Sequence, residues 1–303
     1  MTGARDARWK DALVATLRAT PGALEDGCSG GAAEWTRLGG NALTSVWKVD
    51  VGGKRFFVKS ADDVNAEMLG AEADALQAMA ETRAIRVPQV FAIGHAETAA
   101  FLAMEWLDIV DGGRDAALGR ALAQMHGHVA PRYGWHRDNT IGNTPQCNGW
   151  DDDWATFFRE RRLAPQFALA ARHGHAGRLA KDGERVLAGI AALLEGHRPA
   201  PSLLHGDLWA GNAARLADGT PVVFDPSTYY GDREVDVAMT ELFGGFAPGF
   251  YEAYADAAPM PPGHEVRATL YNLYHVLNHL NLFGASYLAR AEAMTAELAA
   301  FVA

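Results

Sequence analysis

Alternating hydrophobic and polar positions mark the first third of the chain. The segment TSVWKVDVGGKRFFVKS, residues 44–60, alternates with a period of two on both sides of Gly52-Gly53. That period is typical of β-strands, and the glycine pair is typical of a tight hairpin. The other elements predicted here are strands at residues 89–94 and 99–105 and helices at residues 5–17 and 64–80. The pattern therefore predicts a small antiparallel sheet plus helix.

Beyond about residue 105 the hydrophobic period becomes that of amphipathic helices. Helices are predicted at residues 116–126, 154–162, 183–194, 235–243 and 266–282, with a last one from residue 286. Two short apolar runs, SLLH and PVVF, interrupt them and are typical of short strands. We therefore expect an α+β protein with a small N-terminal lobe (residues 1–104), a larger, mostly helical C-terminal lobe (residues 108–303) and a cleft between them.

The stretch LLHGDLWAGN, residues 203–212, contains the first candidate chemistry. It places Asp207 five residues before Asn212, and the run PVVF then ends at Asp225. In kinases, a catalytic-loop aspartate accepts the proton of the acceptor hydroxyl, an asparagine five residues later holds Mg²⁺, and a later aspartate also binds metal. The spacing predicts these three roles for Asp207, Asn212 and Asp225. Considered alone, the same residues also fit a tight turn with Asp225 as a local cap.

A second pair of residues lies upstream. Lys59 ends the apolar strand KRFFVKS, and Glu72 falls on the hydrophobic face of the helix predicted at residues 64–80. Lysine is rarely buried without a partner, so each charge explains the other. A lysine held on ATP phosphates by a glutamate is a requirement of protein-kinase-like catalysis. A solvent-facing lysine and an edge glutamate are the alternative.

The loop LGGNALTS, residues 38–45, lies between the first two strands, and its residues Gly40 and Asn41 are candidates for covering a nucleotide. It lacks G-x-G-x-x-G and G-K-[ST], which disfavours a Walker-type nucleotide site. A plain hairpin loop is the alternative interpretation.

The segment AMEWLD follows the last predicted strand, at the position of a kinase hinge. Residues 105–107 are assigned to this hinge, and Glu105, Trp106 and Leu107 are candidates for contacting the adenine edge, mainly through backbone groups. An ordinary connection between domains is the alternative.

Charge and composition limit the partners. The formal net charge of −10 and the absence of a Lys/Arg cluster disfavour nucleic acid. The two cysteines, Cys28 and Cys147, cannot build a disulfide framework or a four-thiolate metal site. No signal peptide and no run of eighteen apolar residues is present, so we expect a cytoplasmic protein without a membrane partner.

With these elements in kinase order, residues 38–287 resemble the fructosamine kinase (ketosamine-3-kinase) family. The specific motifs are YGWHRDNTIGNTPQCNGWDDDWATFFRERRL, LLHGDLWAGN, VVFDPSTYYGDREVDVAM, ELFGGF and LYHVLNHLNLFG. Aminoglycoside and choline kinases share only the catalytic skeleton. The resemblance implies a protein-kinase-like, two-lobed fold, with ATP and Mg²⁺ as cofactors.

The resemblance also implies the reaction, which is phosphorylation of the C3 hydroxyl of a ketosamine, small or protein-bound. The phosphorylated adduct then breaks down, which makes the protein a deglycation enzyme. Trp209 and His279 match family residues at the ketosamine site. Two alternatives remain: a kinase of the aminoglycoside or choline type, and a nucleotide-binding module without turnover.

Three further groups are interpreted without a catalytic role. His275 is expected to be a packed, hydrogen-bonded histidine, and His126 to be a solvated residue at a helix end. Asp232, Glu234 and Asp236 are expected to satisfy the free N–H groups and the dipole at the start of a helix.

Overall fold

A computed structural model describes residues 2–24, 32–41, 43–96 and 99–302. Cys28 lies outside these ranges. The chain divides into two compact units, Met1–Asp111 with Arg215–Phe224, and Gly112–Ala214 with Asp225–Ala303. Within the described ranges, no helix combines the length and the apolar character that crossing a bilayer requires.

The first unit contains helices α1 (Thr2–Ala19) and α2 (Ala66–Glu81). Its main sheet consists of β1 (Glu34–Gly40), β2 (Thr44–Val51), β3 (Lys54–Asp62), β4 (Val90–Ala96) and β5 (Ala99–Glu105). These strands are antiparallel in the order β1-β2-β3-β5-β4. Gly52 and Gly53 join β2 to β3 with φ of 61° and 83°, which glycine adopts without steric cost. The predicted antiparallel sheet and hairpin are confirmed.

The two faces of this sheet pack against different helices. Phe56 and Val58 of β3 are fully buried in a core with α1 residues such as Leu13. Side chains alternate across a strand, so Phe57 and Lys59 point to the opposite face, where α2 packs. The alternation of β3 therefore directs a lysine toward the helix that carries Glu72.

The remaining strands are short. They are β6 (Ile109–Val110), β7 (Asn139–Ile141), β8 (Thr144–Gln146), β9 (Ser202–Leu203), β10 (Ala213–Leu216), β11 (Pro221–Val223) and β12 (Tyr230–Gly231). Strands β7 and β8 form a hairpin, and β9 pairs with β12 through Leu203 and Tyr230. In the first unit, Arg215 and Leu216 of β10 pair with β6.

The second unit is mostly helical, as the sequence predicts. Its helices are α3 (Ala116–His126), α4 (Trp154–Phe158), α5 (Ala164–Arg172), α6 (Arg178–Leu193), α7 (Glu234–Leu242), α8 (Pro248–Ala257), α9 (His264–Phe283) and α10 (Leu288–Phe301). The sequence did not predict α5, α8 or the β7–β8 hairpin. Helix α8 begins with Pro248 in the first turn and buries Phe250 and Tyr254. Its hydrophobic pattern is short and is interrupted by polar residues, so the helix is hard to recognise from the sequence.

A π-helical turn, Arg159–Leu163, joins α4 to α5 and directs Arg162 into the interior. Arg162 is fully buried. Its Nη1 donates to the Cys147 carbonyl at 2.7 Å, its Nη2 donates to Asn148 Oδ1 at 2.6 Å, and its guanidinium lies 4.0 Å from the Tyr229 ring centroid. Arg162 thereby ties the segment after β8 to the chain that follows Asp225.

Candidate active site

In the first unit, Nζ of Lys59 donates to Oε1 of Glu72 at 2.7 Å. The two side chains are only 13% and 12% exposed. Both charged groups are largely removed from water. Each is stabilised by the other, because an unpaired charge here would destabilise the folded state. The structure thus brings the two residues together on the face of the sheet that the alternation of β3 predicts.

The loop between β1 and β2 is a tight hairpin loop built on Asn41. The side-chain Oδ1 of Asn41 accepts the backbone N–H groups of Leu43 and Thr44 at 2.8 and 2.9 Å. Gly40 has φ of 142°, and a Cβ there would lie 2.3 Å from the Thr44 carbonyl oxygen. Only glycine therefore fits at this turn, and the Asn41 side chain is committed to the loop itself.

The predicted hinge offers one uncommitted backbone donor. The Glu105 N–H donates to the Gln89 carbonyl at 2.8 Å, and the Glu105 carboxylate forms an ion pair with Arg86. The Leu107 carbonyl accepts the Ile109 N–H at 2.9 Å. Among the described residues, the Leu107 N–H donates to no group. Of the predicted backbone donors, Leu107 is the one available to a ligand.

The Trp106 side chain is held beside this segment by polar and cationic neighbours. Its Nε1 donates to Asp108 Oδ1 at 2.9 Å, and Lys48 and Arg55 lie 5.6 and 5.9 Å from the ring centroid. The hydrogen bond from Trp106 and the bond and charge of Arg55 hold the pKa of Asp108 below its usual value.

In the second unit, the loop after β9 is fixed through its backbone by Asp236 of α7. The Asp236 carboxylate accepts the N–H groups of His205 and Gly206 at 2.7 and 2.8 Å. It also contacts Nε2 of His126 at 3.1 Å. Burial alone would raise the pKa of Asp236, but the hydrogen bond and charge of His126 and the loop N–H groups hold it below its usual value.

Gly206 lets the loop approach the chain that follows Asp225. Its φ is 82°, and a Cβ there would lie 2.2 Å from the Ser227 carbonyl oxygen. The Ser227 N–H donates in turn to the His205 carbonyl at 2.8 Å. Gln146 of β8 donates to the Ser227 carbonyl at 3.2 Å, so the hairpin the sequence missed supports this contact.

This backbone arrangement brings Asp207, Asn212 and Asp225 together. Nδ2 of Asn212 donates to the Asp207 carbonyl at 2.9 Å and lies 3.3 Å from Asp207 Oδ2. It also lies 3.5 Å from the Asp225 carbonyl oxygen. Burial and the charges of Asp225 and Asp236 raise the pKa of Asp207 to about 7. The loop therefore presents a carboxylate with unusually high proton affinity beside a second carboxylate.

Asp225 has a positive φ of 57°, in the left-handed region that non-glycine residues rarely adopt. Such outliers occur at functional sites, where the surrounding structure holds the residue in place. Asp225 follows directly on β11 and the Phe224 that ends the first unit's share of the chain. The short strand therefore delivers the carboxylate, as its pattern predicts.

The two residues expected at the ketosamine site lie on different elements. Trp209 is 41% exposed, and its ring lies against Gly211, where an added Cβ would come within 2.2 Å of the indole. His279 lies on α9, half-buried, with Nδ1 2.8 Å from the His275 carbonyl. Burial lowers the pKa of His279, so the ring is neutral near pH 7.

The interpretation of His126 was wrong, and that of His275 was right only about burial. His126 is buried, and its Nδ1 lies 2.7 Å from the Tyr254 hydroxyl while Nε2 contacts Asp236. His275 is buried as expected, but neither of its ring nitrogens has a hydrogen-bond partner among the described residues. Burial, with the charges of His279 and Arg162, lowers the pKa of His275 to about 3.

The acids that begin α7 also have tertiary partners, which helix capping does not predict. Glu234 accepts Nε and Nη2 of Arg267 at 2.7 and 2.8 Å. Asp232 accepts the Tyr271 hydroxyl at 2.5 Å and contacts Nε2 of His197 at 2.6 Å. The local role holds only for Asp232, whose Oδ1 accepts the Glu234 N–H at 3.1 Å. Helix periodicity places these acids at or just before the start of α7 but does not identify partners distant in sequence.

His197, Asp232 and Glu234 have ligand atoms within 4.8 Å of one another, a spacing that could hold a metal ion. The Glu234 carboxylate already accepts hydrogen bonds from Arg267, and the Asp232 carboxylate accepts one from Tyr271. The trio is therefore accounted for as a buried ion-pair network.

The sequence profile described as fructosamine kinase matches residues 26–300. A Synechocystis protein described as "probable ketoamine kinase" is 47% identical over 246 residues, 80% of this chain and 82% of that protein. A chloroplastic protein-ribulosamine 3-kinase of Arabidopsis thaliana is 42% identical over 257 residues, 84% of this chain and 77% of that protein.

Solved structures agree with these relatives. A crystal structure from Haemophilus somnus, described as a "putative fructosamine-3-kinase", has a TM-score of 0.86 at 28% identity and covers 97% of this chain and 98% of that chain. A thermostable mutant of the aminoglycoside phosphotransferase APH(4)-Ia has a TM-score of 0.62 at 14% identity, covering 88% of this chain and 94% of that chain, which supports the fold alone. The protein-kinase-like fold is confirmed, and the chain belongs to the fructosamine kinase family.

Proposed function

We propose that this enzyme transfers the γ-phosphoryl group of ATP to the C3 hydroxyl of a ketosamine. The hydroxyl oxygen bonds to the γ-phosphorus, the bond from that phosphorus to the bridging oxygen breaks, and ADP leaves. The hydroxyl proton passes to Asp207. The observation that carries the proposal is the loop geometry, in which Asp236 accepts the backbone N–H groups of His205 and Gly206, just before Asp207, and Asn212 donates to the Asp207 carboxylate.

Before a metal ion binds, the proton affinity of Asp207 is that of a base that works near neutral pH. A catalytic acid or base works best when its pKa lies near the working pH. Burial and two neighbouring carboxylates raise the pKa of Asp207 to about 7. The hydrogen bond from Asn212 Nδ2 to Asp207 Oδ2, at 3.3 Å, helps to orient the carboxylate.

The donor set beside Asp207 fits Mg²⁺, which prefers carboxylate and amide oxygens. Asn212 uses Nδ2 toward Asp207, so its Oδ1 is directed away and can serve as a ligand. Asp225 is an exposed residue, and its carboxylate would supply the second ligand. Its charge is also one cause of the raised pKa of Asp207, a repulsion that a bound cation would relieve. Bound there, Mg²⁺ would neutralise charge on the transferring phosphate.

In the first unit, Lys59 is the candidate for the ATP phosphates and Glu72 is the residue that orients it. The Leu107 N–H is the candidate donor to the adenine edge, beside Glu105 and Trp106. Gly40 and Asn41 form a loop whose tight backbone could lie over the phosphates. Trp209 offers an exposed ring face to the sugar, and His279 completes the ketosamine side.

The relatives favour a ketosamine over the other acceptors. The curated proteins at 37–47% identity carry the names ketoamine kinase and protein-ribulosamine 3-kinase. The likeness to aminoglycoside phosphotransferases extends to the fold alone. Asp207, Asn212 and Asp225 are all present and adjacent, which a module without turnover would not require.

The test is a substrate panel with MgATP. We expect ribulosyl-lysine to be phosphorylated faster than fructosyl-lysine, and both to be far better substrates than free ribose, choline or an aminoglycoside. Phosphorus NMR coupling to the sugar proton would locate the phosphate on C3. Faster turnover of an aminoglycoside, or phosphate on a terminal hydroxyl, would favour the antibiotic-kinase alternative.

A further inference from the structure

An arginine from a distant part of the chain contacts the loop that carries Asp207 and Asn212. Nη1 of Arg114 donates to the Ala213 carbonyl at 3.0 Å and lies 3.4 Å from the Ala210 carbonyl oxygen. These two carbonyls lie on either side of Asn212 along the chain. The proposed metal ligand therefore belongs to a short segment that Arg114 contacts at both ends.

The same guanidinium also bonds to the motif ELFGGF, to which the proposed reaction gives no role. Nε of Arg114 donates to the carbonyl of Gly245, the second glycine of this motif, at 2.8 Å. Gly245 has φ of 94°, and a Cβ there would lie 2.7 Å from Cβ of Ala210. Glycine thus lets this motif lie directly against the loop that carries Asn212.

Helix packing explains why the two segments meet at Arg114. Helices α3 and α8 approach so closely that a Cβ at Gly119 of α3 would lie 2.2 Å from the Phe250 carbonyl oxygen of α8. Arg114 lies two residues before α3, and Ala247 lies directly before α8. The Ala247 N–H donates to the Arg114 carbonyl at 2.8 Å. The backbone of Arg114 is therefore fixed beside the chain that follows Gly245.

The chemistry of arginine suits this junction. The guanidinium is a planar fork of N–H donors in a fixed geometry, so it can reach carbonyls of two separate loops at once. Hydrogen bonds from a charged donor are also stronger than those between neutral groups. Arg114 is half-buried, and the carbonyl oxygens of Ala210, Ala213 and Gly245 offset its charge.

The two halves of the loop are thus held by different residues. Asp236 accepts the N–H groups of His205 and Gly206 in the first half, before the proposed base. Arg114 holds the second half, which contains Asn212. Mg²⁺ demands near-ideal octahedral geometry, so its affinity depends on how exactly each ligand is placed. Groups that orient a metal ligand without touching the metal commonly affect metal affinity.

We propose that Arg114 is a positioning residue for the metal site. By holding the carbonyls of Ala210 and Ala213, it fixes Asn212 at the place where its Oδ1 meets Mg²⁺, and the Gly245 carbonyl keeps the guanidinium in position. The inference rests on the proposed function, in which Asn212 is a metal ligand. It gives the motif ELFGGF a role in the site, which is to support the loop from behind.

The experiment compares Arg114→Ala with wild type by calorimetric titration of the ATP analogue AMP-PNP at increasing Mg²⁺ concentrations. We expect the apparent dissociation constant for Mg²⁺ to rise about 10- to 100-fold, the usual effect of losing a group that orients a metal ligand. The affinity for metal-free nucleotide should equal that of wild type, because Lys59 and Leu107 belong to the first unit. Guanidinium chloride at millimolar concentration should restore Mg²⁺ affinity, because the free ion can take the place of the lost side chain. A general loss of structure would not respond to guanidinium.

Arg132→Ala is the matched control, because Arg132 bonds to Asp152 at 2.7 Å and to the Trp150 carbonyl at 3.4 Å, elsewhere in the second unit. Its Mg²⁺ affinity should equal that of wild type. If thermal melting shows that Arg114→Ala is unfolded, Arg114→Lys takes its place, and a smaller rise in the same dissociation constant is expected.

Wild-type Mg²⁺ affinity in a folded Arg114 variant would overturn the inference and leave the proposed function intact. If nucleotide binding by the wild type did not depend on Mg²⁺, the proposed metal site itself would be wrong, and the role of Arg114 with it.

Discussion

The Nε2 atom of His126 lies 3.1 Å from Oδ2 of Asp236, and the two side chains are 1% and 0% exposed. The same Oδ2 accepts the His205 N–H at 2.7 Å. A histidine near the end of α3 therefore supports, through one carboxylate, the backbone that precedes the proposed base.

His126→Leu should lower kcat by about 10- to 100-fold, the size of effect that a small misplacement of a catalytic group produces. MgATP affinity should change less than kcat, because Lys59 and Leu107, which are proposed to contact the nucleotide, belong to the first unit. Steady-state kinetics and calorimetric titration of MgATP would show this difference. His128→Leu is the matched control, since His128 is exposed and two residues away. An unchanged kcat in His126→Leu would contradict a positioning role.

Asp207→Asn should leave MgATP binding nearly intact and lower turnover by roughly two to four orders of magnitude, the usual effect of losing a general base. The amide is similar in size and can keep the contact with Asn212, so structure should be preserved. Phosphate transfer to ribulosyl-lysine is the measurement, and thermal melting checks the fold. Turnover near the wild-type rate would exclude Asp207 as the base.

Asp225→Ala is expected to weaken MgATP binding, because a proposed metal ligand is lost. Alanine at this position would also have to adopt the positive φ of 57°, which aspartate and asparagine tolerate better. Asp225→Asn is therefore the companion variant, because it keeps the backbone preference. Calorimetry with and without Mg²⁺ separates the two causes. If both variants bound MgATP with the wild-type affinity and the wild-type dependence on Mg²⁺, Asp225 would not be a metal ligand.

His275→Leu should make stability less sensitive to acid. The folded-state pKa of His275 is lowered to about 3, below the unfolded value near 6.5, so the unfolded state binds more protons between these values. Stability is therefore lost as pH falls below 6.5, by roughly 2 kcal/mol from this residue between pH 6.5 and pH 5.

The measurement for His275 is urea unfolding at pH 7 and pH 5. Leucine should give equal or greater stability at pH 7, because both ring nitrogens lack partners, and a smaller loss at pH 5. His173→Leu, at an exposed position, should follow the wild-type curve. Parallel curves for wild type and His275→Leu would show that the residue does not bind a proton on unfolding.

The sequence predicts the elements whose pattern is local and strong. The β2–β3 hairpin, the antiparallel sheet and α3 follow from periodicity and turn chemistry. The Lys59–Glu72 pair was found because two charges on apolar faces need a common explanation. Asp207, Asn212 and Asp225 were found from their spacing along the chain, and their roles stay predictions.

The parts that the sequence did not give depend on partners distant along the chain. Asp236 looks like an ordinary helix acid until its contacts with His205 and His126 are known, 31 and 110 residues away. Helix α8 is short, and its buried aromatics are interspersed with alanine and acidic residues. Arg162 is buried within a π-helical turn, which the α-helical period of the sequence does not predict.

The close packing at Gly206 has a consequence for regulation. Protein kinases of the H-R-D type have an arginine at the residue before the base, and phosphorylated activation loops are ordered through arginine contacts. Here an added Cβ would lie 2.2 Å from the Ser227 carbonyl oxygen, so the backbone already fills the space where such a side chain would start. The loop is held by main-chain contacts that no phosphate has to complete, and an on–off control of this enzyme would have to act elsewhere.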